Sequence, residues 1–206
     1  HIWSPEDPTI CFSSFQLPNS CKEVCCLSFD NSGKYLVSVG KDPKNSFFVF
    51  CLRTQSFIWT SETTENVIFD VKWSQNGEYF CLVGNKVIIY ACLSIKQIRI
   101  VEYKDSKNGE ELIEAPYFTC VSYSNNNNWI IGDSKGKLSF WDQMNTLKDQ
   151  KQVCENVIFA LNTSFKHEFI CCSDGKGNLY ILKEKFYVLS IVQKLHFENN
   201  IVKGID

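Results

Sequence analysis

The sequence of 206 residues lacks long apolar runs, and none approaches the roughly 18 residues that a membrane-spanning helix needs. Its first residues, HIWSPEDPTI, lack a basic segment followed by an apolar one, so we expect no secretory signal. Apolar residues at helical spacing are also missing. The composition, 44% hydrophobic and 21% charged with a net charge of −2, is typical of a soluble globular protein. We therefore predict no membrane partner.

Arginine is scarce, because only Arg53 and Arg99 contribute to a Lys+Arg total of 21. The planar guanidinium group is the side chain best suited to recognise phosphates and guanine edges. Together with the near-neutral net charge, this scarcity predicts that nucleic acid is not a partner.

The sequence has 11 cysteines, but they do not show the spacing that is typical of metal ligands. Most cysteines lie inside apolar runs, such as Cys81 in YFCLV and Cys120 in FTCVSY, where a thiol behaves as a small hydrophobic group. We interpret them as reduced core thiols of a cytoplasmic protein. Cys21, Cys25 and Cys26 with a distant histidine are a weak zinc pattern, because two of them are adjacent and no second CxxC pair occurs. We therefore reject zinc and predict no cofactor.

Four copies of one pattern organise the chain. They read EVCCLSFDNSGKYLVSVG from Glu23, VIFDVKWSQNGEYFCLVG from Val67, YFTCVSYSNNNNWIIGDS from Tyr117 and VIFALNTSFKHEFICCSD from Val157. Equivalent positions, taken as Phe29, Trp73, Tyr123 and Thr163, are 44, 50 and 40 residues apart. Each copy has a β-rich run, a polar turn and a second apolar run, and two further short strands follow. Four short strands in roughly 40–50 residues is the period of a β-propeller blade.

We therefore predict an all-β fold, a β-propeller with about four complete four-stranded blades. Sandwiches and barrels also have regularly spaced short strands, but they do not require a repeat of this period. Runs such as YFCLV and KVIIYAC are apolar on both faces, which favours strands packed between blades. The predicted units of this single domain are approximately 1–53, 54–93, 94–142 and 143–184, and 185–206 would open the next unit.

The repeats resemble WD40 repeats. FWDQ carries the Trp-Asp dipeptide at Trp141 and Asp142, at the expected end of a strand. Elsewhere Phe50, Tyr90 and Leu182 take the tryptophan position, and no Gly-His pair occurs. The resemblance implies WD40-like blades in which packing replaces most of the family's Asp-His-Ser-Trp hydrogen-bonded tetrad.

A narrower resemblance is to the echinoderm microtubule-associated protein-like family. In CLSFDNSGKYLVSVGKDPKNSFFVF, the family's pattern is matched at Ser38, Val39, Gly40, Asp42, Lys44 and Asn45. The next copy matches it at Ile68, Phe69, Asp70 and Trp73, and GDSKGKLSFW from Gly132 resembles the family's entry into a later strand.

This resemblance implies a non-catalytic cytoskeletal protein of the cytoplasm that binds tubulin or microtubules. It also implies a propeller of about seven or more blades, of which these four would be a part. The alternative is a generic WD40 scaffold in another multiprotein assembly, such as an axonemal or trafficking complex.

Three regularly placed carboxylates, those of Asp133, Asp142 and Asp174, are the candidates for catalysis. All three are expected at strand ends or turns, where Asp hydrogen-bonds to the main chain. The segment DGKGN at Asp174 has no GKS or GKT sequence and no following helix, so we interpret it as a hairpin turn. We predict that the protein is not an enzyme.

Binding through loops at the propeller rim is the favoured hypothesis, because loops on a rigid scaffold commonly carry function. The turns after each first strand should gather on one rim, joined by the linkers that follow each third strand. The predicted partner-binding residues are Asn31, Lys34, Arg53, Gln75, Glu78, Asn126, Asn127, Lys166 and His167. The charged insertion at 102–116 is a further candidate contact loop.

Overall fold

In the residues that the structure describes, antiparallel β-strands form four four-stranded sheets and two short strand pairs. A computed structural model describes residues 1–3, 6–7, 9–17, 21–108, 111–124, 127–143, 145–164, 169–185 and 188–197. The first pair, β1 (Ile2–Trp3) with β2 (Cys11–Ser13), precedes the four sheets.

Blades I and II are the first two four-stranded sheets. Blade I contains β3 (Val24–Phe29), β4 (Tyr35–Gly40), β5 (Phe47–Cys51) and β6 (Ser56–Ser61). Blade II contains β7 (Ile68–Trp73), β8 (Tyr79–Gly84), β9 (Val87–Cys92) and β10 (Gln97–Glu102). In both blades each strand pairs with the next one along the chain, so the sheet is a simple meander.

The insertion at 102–116 contains the second short pair, β11 (Ser106–Asn108) with β12 (Glu111–Ile113). Its base is held by Asp105, whose carboxylate pairs with the Lys86 ammonium at 2.8 Å and accepts the Ala115 N–H at 2.8 Å. The candidate contact loop is therefore a hairpin tied to blade II.

Blades III and IV repeat the meander. Blade III contains β13 (Phe118–Tyr123), β14 (Trp129–Asp133), β15 (Lys137–Trp141) and β16 (Leu147–Gln152). Blade IV contains β17 (Ile158–Thr163), β18 (Phe169–Asp174), β19 (Asn178–Lys185) and β20 (Val188–His196). The outer strand of each sheet lies just beyond 53, 93, 142 or 184, so each unit after the first, as defined on the sequence, begins with the outer strand of the preceding blade.

The first strand of each blade is its inner strand, and each inner strand packs on that of the next blade along the chain. All four inner strands contain a β-bulge near their start, at Cys25, Phe69, Thr119 and Phe159. A bulge adds local twist and re-aims side chains. The bulge lies at the same point of each of the four inner strands.

The hydrophobic core lies between the blades rather than inside any one of them. Phe47 of blade I packs edge-on against Phe80 of blade II, with ring centroids 5.1 Å apart. Between blades II and III, the cluster includes Tyr90 and Trp129. Between blades III and IV, it includes Phe140 and further aliphatic side chains. Because the middle strands bury both faces, as the sequence pattern predicts, the propeller prediction is confirmed at the level of packing.

The cysteines are free thiols, and Cys21, Cys51, Cys81, Cys120 and Cys172 are buried, in agreement with their interpretation as core residues. The remaining thiols are half-buried except that of Cys11, which is exposed. In the part of the chain that the structure describes, no group of three His, Cys, Asp or Glu side chains could hold a metal ion.

Candidate functional site

The turns that join the first two strands of blades I and II lie together on one rim, which we call the first rim. In blade I, the Asp30 carboxylate accepts the Tyr35 N–H at 2.6 Å, and Gly33 has a φ of +67°. In blade II, the Ser74 hydroxyl accepts the Tyr79 N–H at 3.0 Å, and Gly77 has a φ of +68°. Glycine takes this left-handed conformation without steric cost, so both turns are tight and fixed.

A cavity of about 590 Å³ opens on the first rim, where the inner strands end, and we call it the rim cavity. Its walls come from all four blades. The lining residues are Asn31, Lys72, Trp73, Gln75, Ser122, Tyr123, Asn162, Thr163 and Ser164.

Hydrogen bonds across blade boundaries fix the walls of the rim cavity. The Trp73 indole N–H donates to the Ser28 carbonyl oxygen of blade I at 3.0 Å. The Thr163 hydroxyl of blade IV donates to the Tyr123 carbonyl oxygen of blade III at 3.0 Å. The cavity is therefore preformed by packing of the blades.

The charge of the rim cavity comes from Lys72 alone among its lining residues, which include no carboxylate. Among the described residues, the Lys72 ammonium has no ion-pair partner within 4.0 Å. Amides and hydroxyls surround it, and the Trp73 and Tyr123 rings supply apolar surface. This combination suits a ligand with a carboxylate and some apolar surface.

A second cavity of about 320 Å³, the axial cavity, adjoins the rim cavity, and Lys72 and Asn162 line both. Its wall includes Asp70, whose carboxylate accepts the Val121 N–H of blade III at 2.9 Å and the Val71 N–H at 2.8 Å. Burial raises the pKa of the Asp70 carboxyl to about 6, although these two hydrogen bonds oppose the shift. Asp70 therefore titrates far closer to neutrality than an exposed carboxyl.

The structure brings two of the predicted site residues together. The Asn31 side-chain amide donates to the Gln75 carbonyl oxygen at 3.2 Å, so the first turns of blades I and II touch at the mouth of the rim cavity. Both side chains belong to exposed residues.

The other predicted residues lie outside the rim cavity. The Lys34 ammonium lies over the Tyr35 ring, 4.6 Å from its centroid, and Arg53 is exposed in the following turn. Glu78 accepts hydrogen bonds from the Ser94 hydroxyl and the Asn76 amide, both at 3.3 Å.

Asn127 is an exposed turn residue with a φ of +57°. Asn126, Lys166 and His167 lie outside the residues that the structure describes. Whether any of the predicted residues binds a partner stays a prediction.

Sequence reasoning missed Lys72, Tyr123, Asn162 and Thr163, because it placed the site in the turns rather than at the ends of the inner strands. Tyr123 and Thr163 occupy equivalent positions of the repeat, together with Trp73. The repeat alignment thus carried a signal for these residues, since equivalent positions of adjacent blades face the same axis.

The candidate catalytic carboxylates accept hydrogen bonds from main-chain N–H groups. Asp133 accepts the Lys135 and Lys137 N–H groups, both at 2.9 Å. Asp142 accepts the Thr146 N–H at 2.8 Å and pairs with the Lys148 ammonium at 2.7 Å.

Asp174 is fully buried and anchors a network in blade IV. Its carboxylate accepts the Asn178 side-chain amide at 2.8 Å, the Tyr180 hydroxyl at 3.1 Å and the Lys176 N–H at 2.9 Å. Burial would raise the pKa of this carboxyl, but the hydrogen bonds outweigh it and leave the pKa lowered. His196 joins the network through Asn178 at 3.0 Å, so four side chains of blade IV form one hydrogen-bonded group.

The meander sheets, the contacts between inner strands and the interblade core define a β-propeller. Two stretches of the sequence, residues 10–44 and 114–142, match the WD40 family (WD domain, G-beta repeat). Among solved structures, the chain is similar to the β-propeller domain of Myceliophteria thermophila Cps50 (Swd1), with a TM-score of 0.52 and 12% identity. That similarity covers 87% of this chain and 76% of the other and establishes the fold. No curated protein matches the sequence.

The predicted β-propeller fold is therefore confirmed, and the resemblance to WD40 repeats is supported over the two matched stretches. The narrower resemblance to the microtubule-associated family receives no support from these comparisons. In the described part of the chain, no helix is long and apolar enough to cross a membrane.

Proposed function

We propose that this protein is a non-catalytic interaction module that binds an acidic segment of a partner protein in the rim cavity. The observation that carries the proposal is the composition of the cavity wall. One ammonium, that of Lys72, lies among amides, hydroxyls and two aromatic rings, and the lining residues include no carboxylate. A carboxylate of the partner would gain a charge-assisted hydrogen bond from Lys72 in a partly enclosed site.

The aromatic rings of the wall favour a protein partner over a small anion. Trp73 and Tyr123 are buried over most of their area, yet both reach the cavity surface. Aromatic side chains at a recessed site commonly carry much of the energy of a protein interface. The exposed amides of Asn31 and Gln75 at the mouth would contribute polar contacts around this centre.

A non-catalytic role is supported by the state of the carboxylates. Asp133 and Asp174 are held by main-chain N–H groups of their own turns and lie away from the rim cavity. Catalysis by a general base requires a group within reach of a substrate proton.

Tubulin is the specific partner that the sequence resemblance suggests, and the protein would then act in the cytoplasm at the cytoskeleton. The residues that carry this resemblance have structural roles. Asp42 accepts the Ser46 N–H at 3.0 Å, and the Asn45 side chain donates to the Thr64 and Asn66 carbonyl oxygens at 2.8 and 3.0 Å. Because these contacts shape a loop rather than a binding surface, a scaffold in another assembly is an equally supported proposal.

Charge reversal of Lys72 tests the rim cavity. We expect Lys72→Glu to weaken partner binding about tenfold, because it sets like charges against each other in a partly enclosed site. The matched control is Lys176→Glu, which makes the same change of net charge at an exposed turn after β18 that does not line the cavity. Tubulin is measured by microtubule co-sedimentation and by size-exclusion chromatography with unpolymerised tubulin.

Binding of tubulin that Lys72→Glu weakens and Lys176→Glu leaves intact would support both the cavity and this partner. Failure of the folded wild-type protein to bind tubulin in both assays would rule out tubulin as a direct partner. Affinity capture from cells with the wild-type protein, Lys72→Glu and Lys176→Glu then tests the alternative, that the protein is a scaffold in another assembly. If no captured partner is lost specifically with Lys72→Glu, the rim cavity is not the binding site.

A further inference from the structure

Two adjacent thiols lie on the same side of blade I at the bulge of its inner strand. Cys25 is the extra residue of the bulge between Val24 and Cys26. In a regular strand, neighbouring side chains point to opposite faces of the sheet, but a bulge breaks this alternation. The Cys25 and Cys26 sulfur atoms are consequently 3.8 Å apart.

Cys25 opens into a groove of about 550 Å³ between blades I and II, on the rim opposite the rim cavity. The groove is also lined by one ammonium, that of Lys41, by the carboxylates of Asp42 and Glu65, and by the exposed side chains of Val67 and Phe69. Cys25 and Cys26 are both half-buried and both pack against the core between blades I and II, but of the two only Cys25 lines the groove, where a small reagent can reach it.

The surroundings of Cys25 favour its thiolate. The Cys26 thiol, as a hydrogen-bond donor, is the main cause that lowers the Cys25 pKa to about 7, and nearby main-chain N–H groups and the Lys41 ammonium add to it against the effect of burial. The pKa of Cys26 is raised in turn, by its hydrogen bond to Cys25 and by burial. The protonated Cys25 thiol donates to the Val39 carbonyl oxygen at 3.4 Å. Once Cys25 loses this proton, it is the nucleophile of the pair and Cys26 is the hydrogen-bond donor.

We propose that Cys25 is a thiol-modification site that forms a mixed disulfide with a small disulfide entering the groove between blades I and II. The Cys25 thiolate attacks one sulfur of the incoming disulfide, the S–S bond of that molecule breaks, and the departing thiolate takes a proton from water. The reaction stops at the mixed disulfide. Adjacent Cα atoms lie about 3.8 Å apart, closer than the roughly 4.4–6.8 Å that an unstrained disulfide requires, so Cys26 does not displace the adduct.

The expected rate advantage of Cys25 is modest at neutral pH. A pKa near 7 raises the thiolate fraction at pH 7 roughly fifteenfold over an ordinary thiol. The lower basicity reduces the intrinsic reactivity of the thiolate roughly fivefold. The net gain is about threefold, so the pH profile is a sharper readout than the rate itself.

The experiment incubates the full chain with glutathione disulfide between pH 5.5 and 9 and quantifies the adduct at each cysteine by peptide mass spectrometry. Cys92 is the internal reference, because it is also half-buried and its thiol lies 3.3 Å from a hydroxyl, that of Ser94, instead of another thiol. We expect the Cys25 rate to reach half its maximum near pH 7 and to exceed that of Cys92 about threefold at that pH.

Two variants test the role of Cys26. Cys26→Ala removes the donor and should move the half-maximum of Cys25 to higher pH, whereas Cys26→Ser keeps a donor and should retain most of the effect. An unmodified Cys25 in folded protein whose exposed Cys11 reacts would overturn the proposal, as would a Cys25 profile that coincides with that of Cys92. The comparison of Cys25 with Cys92 in the wild-type protein needs no substitution. It therefore tests the proposal even if a variant at Cys26 does not fold.

Discussion

Asp70 places a carboxylate in the wall of the axial cavity, where its direct partners are the main-chain amides of Val71 and Val121. The second of these belongs to the neighbouring blade, so a single side chain links blades II and III. Two hydrogen bonds do not fully offset the loss of water around a charged group. The raised pKa of this carboxyl, about 6, is the consequence.

The pH dependence of stability should therefore contain a contribution from Asp70. Its pKa is about 6 in the folded protein and 3.8 ordinarily, so the folded state binds the proton more tightly. Stability from this group is complete below about pH 4 and is lost as the pH rises through 6. The difference between these two pKa values corresponds to roughly 3 kcal/mol, and partial solvent access reduces this to about 2 kcal/mol.

We expect Asp70→Asn to abolish this contribution, so that its free energy of unfolding rises less than that of the wild type between pH 7 and pH 5. Urea unfolding at several pH values measures the difference. Asp149→Asn is the control, because the Asp149 carboxylate also accepts the N–H of the next residue but lies on the outer strand of blade III. Parallel curves for wild type and Asp70→Asn would contradict the assignment.

The strand pairs of the four blades follow from local signals that the sequence displays. The turn sequences DNSGK and SQNGE place glycine where the structure has a positive φ, at Gly33 and Gly77, so both hairpins could be predicted. The bulges at Cys25 and Phe69 have no such local signal in the sequence. The rim cavity was missed for the same reason, because its walls meet only after the blades have packed.

Gly84 at the end of β8 shows how closely two elements approach. A Cβ at this position would collide with the Val67 carbonyl oxygen and lie 3.0 Å from the Ile68 Cα. The Val67 carbonyl is fixed, because it accepts the Asn85 N–H at 2.8 Å. We expect Gly84→Ala to destabilise the protein by about 2 kcal/mol or more, since the backbone must shift to admit the methyl group.

Gly33→Ala provides the comparison for Gly84→Ala. A Cβ at Gly33 meets no atom within 4 Å, so only the positive φ of +67° opposes the substitution. Its expected cost is about 1 kcal/mol. Thermal and urea unfolding of both variants measure the contrast, and equal losses at the two positions would show that the close approach at Gly84 is relieved without cost.

The whole molecule is held together by interfaces between blades that are neighbours along the chain. Blades I and II share the cluster around Phe47 and Phe80, and blades III and IV share the cluster around Phe140. Polar contacts between described residues also cross these boundaries, such as the hydrogen bond from the Trp73 indole to the Ser28 carbonyl oxygen. In repeat architectures of this kind, stability is approximately the sum of contributions from units and from neighbouring interfaces.

Truncation of one interface should therefore weaken two blades more than the others. Phe80 is fully buried against the rings of Phe47, Trp59 and Trp73, so Phe80→Ala should cost about 3–5 kcal/mol. Hydrogen exchange read by mass spectrometry should show the loss of protection mainly in blades I and II. Phe140→Ala, an equal truncation between blades III and IV, should give the reciprocal pattern. The same loss of protection in every blade for both variants would mean that the described blades unfold as one unit, and the nearest-neighbour account of the propeller would be wrong.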